Sequence, residues 1–152
     1  SAQVFYNLLV PSAGEPIAAN YPSDDYKLLL EAAKNHGVGA IGVRVLAGGA
    51  LSGSEARHPF GMRDVTPIGS ETDYTTDVKR GLAFMPLVEA GHAESLIELA
   101  IRYVISKSAL PTTEIGIATL EELQQATAAV NKGPLSINAL AAIKKVQAGF
   151  VI

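Results

Sequence analysis

Along this chain, short apolar runs typical of strands are followed by segments in which apolar residues recur at the spacing of a helix. This pattern predicts strands that are followed by helices. Residues 3–9 are a short, mostly apolar run that ends before Pro11, as expected of a buried strand. Residues 39–53 begin with β-branched side chains and end in a glycine-rich bend, which predicts a second buried strand that stops abruptly. Residues 112–116 are predicted to form a third strand.

Apolar side chains at spacings of three and four predict the helices between these strands. Ser23 is expected to cap the first helix, with Asp24 and Asp25 in its first turn and Gly37 just beyond its end. Residues 94–107 carry an apolar stripe that covers more than one face. Such a stripe indicates a helix packed between a sheet and other helices.

Two further helices are predicted near the end of the chain, and a short one is predicted around residues 82–88. Thr119 and Glu122 have the spacing of a capping box, and the helix they begin is expected to end at Gly133. A last helix is predicted to begin near Ser136.

The order of these elements predicts an α/β fold with parallel strands and right-handed crossovers. The length of 152 residues fits a single domain over 1–152 with a hydrophobic core. Residues 54–80 follow neither period and are predicted to be a long irregular loop. Such loops are usually functional or disordered.

The composition of the chain argues against several classes of function. The net charge is −3 with both signs interspersed, so we expect no nucleic-acid and no membrane partner. The chain has no cysteine, which excludes disulfides, thiolate metal sites and cysteine nucleophiles. No secretory leader is recognisable in the first ten residues, and we expect a cytoplasmic protein.

Candidate chemistry is sparse outside the glycine-rich bend. His36, His58 and His92 lack partners at metal-ligand spacing, so no metal site is predicted. The sequence contains no nucleophile elbow and no Walker loop, and we assign no catalytic residue. A strand that ends in glycines is where parallel α/β folds place ligands, so a binding site is predicted at this bend.

Three segments, in the same order and at similar spacing, resemble the aldo-keto reductase family. Residues 3–9, QVFYNLL, are similar to its sixth barrel strand, and residues 46–53, LAGGALSG, to the loop after its seventh. Residues 95–136, with IGIATLEEL and GPLS, are similar to its C-terminal part. The resemblance implies the C-terminal portion of a (β/α)8 TIM barrel, with three parallel strands, their helices and a C-terminal helix.

The family transfers hydride between NAD(P)H and a carbonyl or alcohol. Its catalytic Asp, Tyr, Lys and His lie on earlier strands, so this chain alone is expected to be catalytically incomplete. The resemblance therefore implies the cofactor-binding part of such an enzyme, which would act on a small carbonyl or sugar. The expected partners are the missing N-terminal half or another copy of this chain. The alternatives are a non-catalytic binding or assembly module descended from the family, and a compact βαβ nucleotide-binding domain unrelated to it.

The resemblance also implies which residues contact the cofactor, NADP or NAD. Gln3 would bind the nicotinamide carboxamide. Val43 and Arg44 stand where the family often has an aromatic that stacks on the nicotinamide, and Arg44 would offer a cationic plane or a phosphate contact instead. Val45 replaces the usual proline. Positions that would wrap the pyrophosphate with backbone amides are Leu46, Ala47, Gly48 and Leu51.

The segment after the third strand would hold the adenosine phosphate at a helix N-terminus. Its residues are Gly116, Ile117, Ala118 and Thr119. Ala118 stands where the family often has an Arg that grips the 2′-phosphate, which weakens the case for NADP. Gln125 falls where the family often has an acidic residue that contacts the adenine.

Overall fold

A computed structural model describes residues 1–70 and 72–151. Over these residues three strands form one parallel sheet, in which they lie side by side in chain order. The strands are β1 (Ala2–Phe5), β2 (Ala40–Val43) and β3 (Thr112–Thr113). The predicted α/β class with parallel strands is therefore confirmed.

The register places the carboxyl ends of the strands at one edge of the sheet. Phe5 pairs with Val43, and Gly42 pairs with Thr113. A Cβ on Gly42 would lie 2.7 Å from Leu110 Cδ2, so the small residue lets the segment before β3 pack closely against β2. Loops that leave this edge are therefore brought together.

Six α-helices surround the sheet in the described part of the chain, and a 3₁₀ turn at Ala47–Ser52 follows β2. The helices are α1 (Leu29–Asn35), α2 (Tyr74–Leu82), α3 (Met85–Glu89), α4 (Leu96–Ile105), α5 (Leu120–Asn131) and α6 (Ile137–Ala148). In α4, Leu99, Ala100 and Val104 have no exposed surface. The predicted packing of this helix between the sheet and other helices is confirmed, since α4 contacts β3, α3 and α5.

The first strand is shorter than predicted because Asn7 turns the chain. Its buried Oδ1 accepts hydrogen bonds from the N–H groups of Leu9 and Val10, both at 2.9 Å. Its Nδ2 donates to the carbonyl of Arg44 at 2.9 Å, which ties this turn to the end of β2. A side chain that satisfies local backbone donors competes with the strand ladder. The run 6–9 is therefore buried but not extended.

The prediction that Ser23 caps the first helix is wrong. Lys27 and Leu28 have left-handed backbones, and α1 begins only at Leu29. The preceding segment is bonded instead to another loop, because Ser12 Oγ accepts from the N–H of Tyr26 at 3.1 Å. The predicted end is confirmed, with Gly37 at φ 67° after the helix.

The irregular segment ends earlier than residue 80, because α2 begins at Tyr74. Asp73 caps this helix by accepting a hydrogen bond from the N–H of Thr76 at 2.7 Å. The polar composition of 70–77 concealed this start. Residues 82–88 also divide between the end of α2 and the short helix α3.

Thr119 and Ser136 cap their helices as predicted, whereas the Glu122 carboxylate bonds the N–H of Ala118, one residue before the position that a capping box requires. Thr119 Oγ1 accepts from the N–H of Glu122, and Ser136 Oγ from the N–H of Ala139, both at 3.2 Å. The third strand is shorter than predicted, although the N–H of Glu114 still donates to the Gly42 carbonyl at 2.8 Å. Among the helices of the described residues, none combines the length and the apolar character needed to cross a bilayer.

Candidate functional site

A cavity of about 440 Å³ opens at the carboxyl ends of β2 and β3. Its walls come from the turn after β2, the connection from β3 into α5, and residues 56–62. This edge of a parallel sheet is the usual ligand site in α/β folds, because the loops that leave it vary while the strands hold them in place. The cavity coincides with the binding site predicted at the glycine-rich bend.

The turn after β2 has an unusual backbone. Gly48 (φ 68°) and Gly49 (φ 107°) are left-handed, and so are the non-glycine residues Arg44 (φ 59°) and Ala47 (φ 48°). A Cβ on Gly48 would overlap Cγ1 of Val65, so only glycine fits there. Left-handed non-glycine residues are strained and concentrate at functional sites. The strain here thus supports a ligand-binding role for the turn.

The five predicted residues of this segment divide into two groups. Arg44, Leu46 and Gly48 line the cavity. Ala47 and Leu51 are fully buried, and their N–H groups donate within the turn, to Arg44 O at 2.8 Å and Leu46 O at 3.2 Å. The two buried residues therefore support the turn, while the other three face the open space.

The connection from β3 into α5 forms the opposite wall. Glu122 Oε2 accepts a hydrogen bond from the N–H of Ala118 at 2.6 Å, so a carboxylate already occupies this backbone donor. Thr119 caps the helix and does not line the cavity. The predicted residues that line it here are Gly116, Ile117, Ala118 and Gln125.

Gln3 lies apart from these residues. It is exposed on β1, where it pairs with Ile41, and it does not line the cavity. Its predicted contact with a nicotinamide stays a prediction.

Part of the predicted long irregular loop lines the cavity, and we call residues 54–70 the strap. Arg57 binds it to the glycine-rich turn: Nη1 donates to the Gly48 carbonyl at 2.9 Å and Nε to the Met62 carbonyl at 2.6 Å. The guanidinium also lies 5.3 Å from the ring centre of Tyr74. One side chain thus joins the strap, the turn and the start of α2.

The far end of the strap is held by a buried carboxylate. Asp77 Oδ2 accepts from the N–H groups of Ile68 at 2.7 Å and Gly69 at 3.0 Å. Arg80 Nη1 donates to the Gly69 carbonyl at 2.7 Å. Asp77 has no exposed surface, and its other oxygen has no hydrogen-bond partner among the described residues. Charge-assisted bonds of this kind fix a loop more firmly than neutral ones.

The cavity has a cationic side and an acidic side. Arg44 and Arg57 lie beside the glycine-rich turn, whereas Glu114 and Glu122 lie at the β3–α5 wall. Burial raises the pKa of Tyr74 above its ordinary value, although the nearby Arg57 opposes the shift. Tyr74 therefore stays a neutral phenol at physiological pH. Within the described residues, no group of three His, Asp or Glu side chains is placed to hold a metal ion.

This arrangement is suited to binding a ligand that carries both phosphate and hydroxyl or amino groups. Arginines and a turn with left-handed glycines favour phosphate groups, and Glu122 and Gln125 can accept hydrogen bonds from hydroxyl or amino groups. Sequence analysis missed the contributions of Arg57, Phe60 and Tyr74, which also line the cavity. The signal that pointed to them was the length of the unassigned loop beside a glycine-rich bend.

Comparisons with known proteins agree with this geometry. The sequence profile of the Aldo/keto reductase family matches residues 2–148. No curated protein matches the chain significantly.

Solved structures of similar fold include the glycerol dehydrogenase AKR11B4 from Gluconobacter oxydans, with a TM-score of 0.66 and 18% identity. They also include the holo and apo forms of the aldo-keto reductase AKR11C1 from Bacillus halodurans, with TM-scores of 0.57 and 0.56 and 17% identity. The chain is covered to 98% by the first alignment and to 95% by the other two, but it spans 42% of each of those proteins. The structure is therefore a partial barrel, as expected.

Proposed function

The chain belongs to the aldo/keto reductase family, and on that premise we propose that it forms the cofactor-binding part of an NAD(P)-dependent oxidoreductase. The observation that carries the proposal is the convergence of the glycine-rich turn and the β3–α5 connection on one cavity. Both segments are those in which the family resemblance placed cofactor contacts.

In this proposal the dinucleotide lies along the cavity. Arg44 and Arg57 face its phosphates, because arginine combines a permanent charge with directed donors. Glu122 and Gln125 face the adenosine, where they accept hydrogen bonds. The bound cofactor supplies hydride to a small carbonyl or sugar, and the proton donor is expected in the remainder of the barrel. The location proposed for such an enzyme is the cytoplasm, where nicotinamide cofactors are plentiful.

The first test is a titration of NADH and NADPH with the chain, followed by the fluorescence of the reduced nicotinamide. We expect an enhancement or shift on binding. Arg44→Ala should weaken binding about fivefold, the scale of one lost exposed charge contact. Lys34→Ala is the matched control, because Lys34 is also exposed but lies on α1 and does not line the cavity. No spectral change at millimolar cofactor would contradict the proposal.

A second candidate function is a non-catalytic assembly module. It is favoured by an apolar surface on α5, where Leu120 and Leu123 are 63% and 49% exposed. An open three-stranded sheet also leaves backbone donors and acceptors at its edges, and such edges favour association. Concentration-dependent association without cofactor binding would favour this candidate over the first.

A further inference from the structure

The rim of the cavity carries exposed apolar side chains on two of its walls. Phe60 is 85%, Met62 58% and Ile117 42% exposed, and all three line the cavity. Phe60 and Met62 belong to the strap, whereas Ile117 belongs to the β3–α5 connection. Single apolar residues on a surface are normal, but several around one opening are typical of a surface that binds another protein.

The strap presents its apolar side chains on a turn that is held from within. The N–H of Gly61 donates to the His58 carbonyl at 2.8 Å, and the N–H of Phe60 donates to His58 Nδ1 at 3.2 Å. Arg57 Nε closes the turn by donating to the Met62 carbonyl at 2.6 Å. A surface whose conformation is fixed beforehand loses little conformational entropy when a partner docks on it.

The β3–α5 wall is fixed in a similar way. The N–H of Ala118, the residue after Ile117, donates to Glu122 Oε2 at 2.6 Å, and Thr119 caps α5. Leu120, the first residue of α5, is 63% exposed and adds a further apolar side chain beside this wall. Both apolar parts of the rim therefore exist before any partner arrives.

The two sides of the rim also differ in charge. Arg44 and Arg63 are exposed near the glycine-rich turn and on the strap, and Glu114 and Glu121 are exposed on the β3–α5 side. None of these four side chains forms an ion pair with another described residue. A surface with one cationic and one acidic half is complementary to its own copy when a two-fold axis passes between the halves.

We propose that a second copy of this chain docks on the rim, so that the strap of each copy packs against the β3–α5 wall of the other. In this two-fold dimer Phe60 and Met62 contact Ile117 and Leu120 of the second copy. The arginines on the strap side of one copy face the glutamates of the other. Each copy thus covers the cavity mouth of its partner. The dimer does not require a bound cofactor, so this proposal is independent of the proposed function.

Cysteine cross-linking tests which surfaces meet, because the chain has no cysteine of its own. Met62→Cys and Ile117→Cys are prepared separately, mixed in equal amounts and oxidised. The mixed disulfide should form roughly tenfold faster than between M62C and I137C, because docking raises the effective concentration of the two thiols. Ile137 is the matched control, since it is 78% exposed on α6 and lies outside the cavity. Mass spectrometry of the digested dimer identifies the linked peptides.

A charge exchange tests the orientation of the two copies. Arg63→Glu and Glu114→Arg should each weaken dimerisation about fivefold, because each places like charges across the interface. The combined variant R63E/E114R restores opposite signs and should recover most of the affinity. Analytical ultracentrifugation measures the dissociation constants, and circular dichroism with thermal melting establishes that each variant is folded.

The outcomes separate this proposal from the other expectations. A chain that stays monomeric at all concentrations overturns it, whether or not NADH binds. Association in which M62C links to I117C and to I137C at the same rate also overturns it and places the contact elsewhere, for example at the open sheet edges. A double variant R63E/E114R that dimerises no better than either single variant overturns the proposed two-fold arrangement.

Discussion

Glu122 has two effects at the β3–α5 wall. Its carboxylate accepts the N–H of Ala118 at 2.6 Å, which ties the residue before the N-cap Thr119 to the first turn of α5. The same negative charge faces the cavity, where a second phosphate on the ribose would be repelled. In dinucleotide sites an acidic residue favours the free ribose hydroxyl and an arginine favours the 2′-phosphate. Ala118 supplies no such cation, and for the proposed cofactor site we therefore predict a preference for NAD.

Glu122→Gln tests this preference at the residue scale. The amide keeps an acceptor for the Ala118 N–H but removes the charge, so we expect NADPH to gain about fivefold relative to NADH. The ratio of the two dissociation constants is the measurement. Glu121→Gln is the matched control, because Glu121 lies in the same helical turn but outside the cavity. An unchanged ratio in E122Q would contradict the assignment.

At the scale of elements, the strap is joined to the site by a few polar side chains. Arg57 holds it to the glycine-rich turn, and Asp77 holds its far end to α2. These bonds hold the strap in place together with apolar contacts, since Val65 and Ile68 lie against Gly48.

Arg57→Ala should release the strap and expose it to proteases. We expect cleavage within residues 54–66 to accelerate roughly tenfold, because local opening no longer breaks two charge-assisted bonds. Limited proteolysis followed by mass spectrometry locates and times the cuts. Arg63→Ala serves as the control, since Arg63 lies exposed on the same segment and outside the cavity. Cleavage of R57A at the rate of the unaltered chain would be inconsistent with this role.

The junction of α4 and α5 contains a second charged group. Glu98 accepts from Lys132 at 2.7 Å and Arg102 at 2.9 Å, and only 9% of its side chain is exposed. Burial alone would raise the pKa of Glu98, but the hydrogen bonds from Lys132 and Arg102 outweigh it and lower the pKa below its ordinary value. In the unfolded chain a glutamate has a pKa of about 4.3.

Glu98 therefore contributes stability that is complete above pH of about 4.3 and is lost as the pH falls through its lower folded pKa. Stability falls at low pH because the carboxyl of Glu98 binds a proton more tightly in the unfolded chain than in the folded one. Glu98→Gln should lower the free energy of unfolding by about 1.5 kcal/mol at pH 7, and less at pH 3. Urea denaturation at both pH values measures this. A loss in E98Q that is equal at the two pH values would argue against the ion pair.

At the scale of the whole molecule, three parallel strands form an open sheet and not a closed barrel. Over the described residues β1 and β3 have one paired side each. On α5, Leu120, Leu123 and Val130 share an exposed face. In a complete barrel the remaining strands and helices would cover such surfaces, and the structures of similar fold extend well beyond the part that this chain matches.

We expect the isolated chain to self-associate through these surfaces. Light scattering after size exclusion should show a mass that rises with concentration. The double substitution L120E/L123E should reduce association, because charges oppose burial of the α5 face. Ile137→Glu is the control on α6. A stable, cooperative monomer of the unaltered chain at all concentrations would contradict the expectation.

The sequence by itself determined the features that depend on neighbouring residues. The caps at Thr119 and Ser136, the terminator Gly37 and the buried stripe of α4 all follow from interactions within one or two helical turns. The order of elements and the family resemblance indicated a partial barrel and placed its cavity at the glycine-rich bend.

Only the tertiary structure decided what depends on residues far apart in the chain. Asn7 ends β1 through the carbonyl of Arg44, and Ser12 delays α1 by binding the segment before it. Arg57 and Phe60 come to the cavity because the strap folds back across the turn, which no local pattern encodes. Local preferences are set by backbone and side-chain geometry within a few residues, whereas these contacts exist only once the sheet has brought distant loops to one edge.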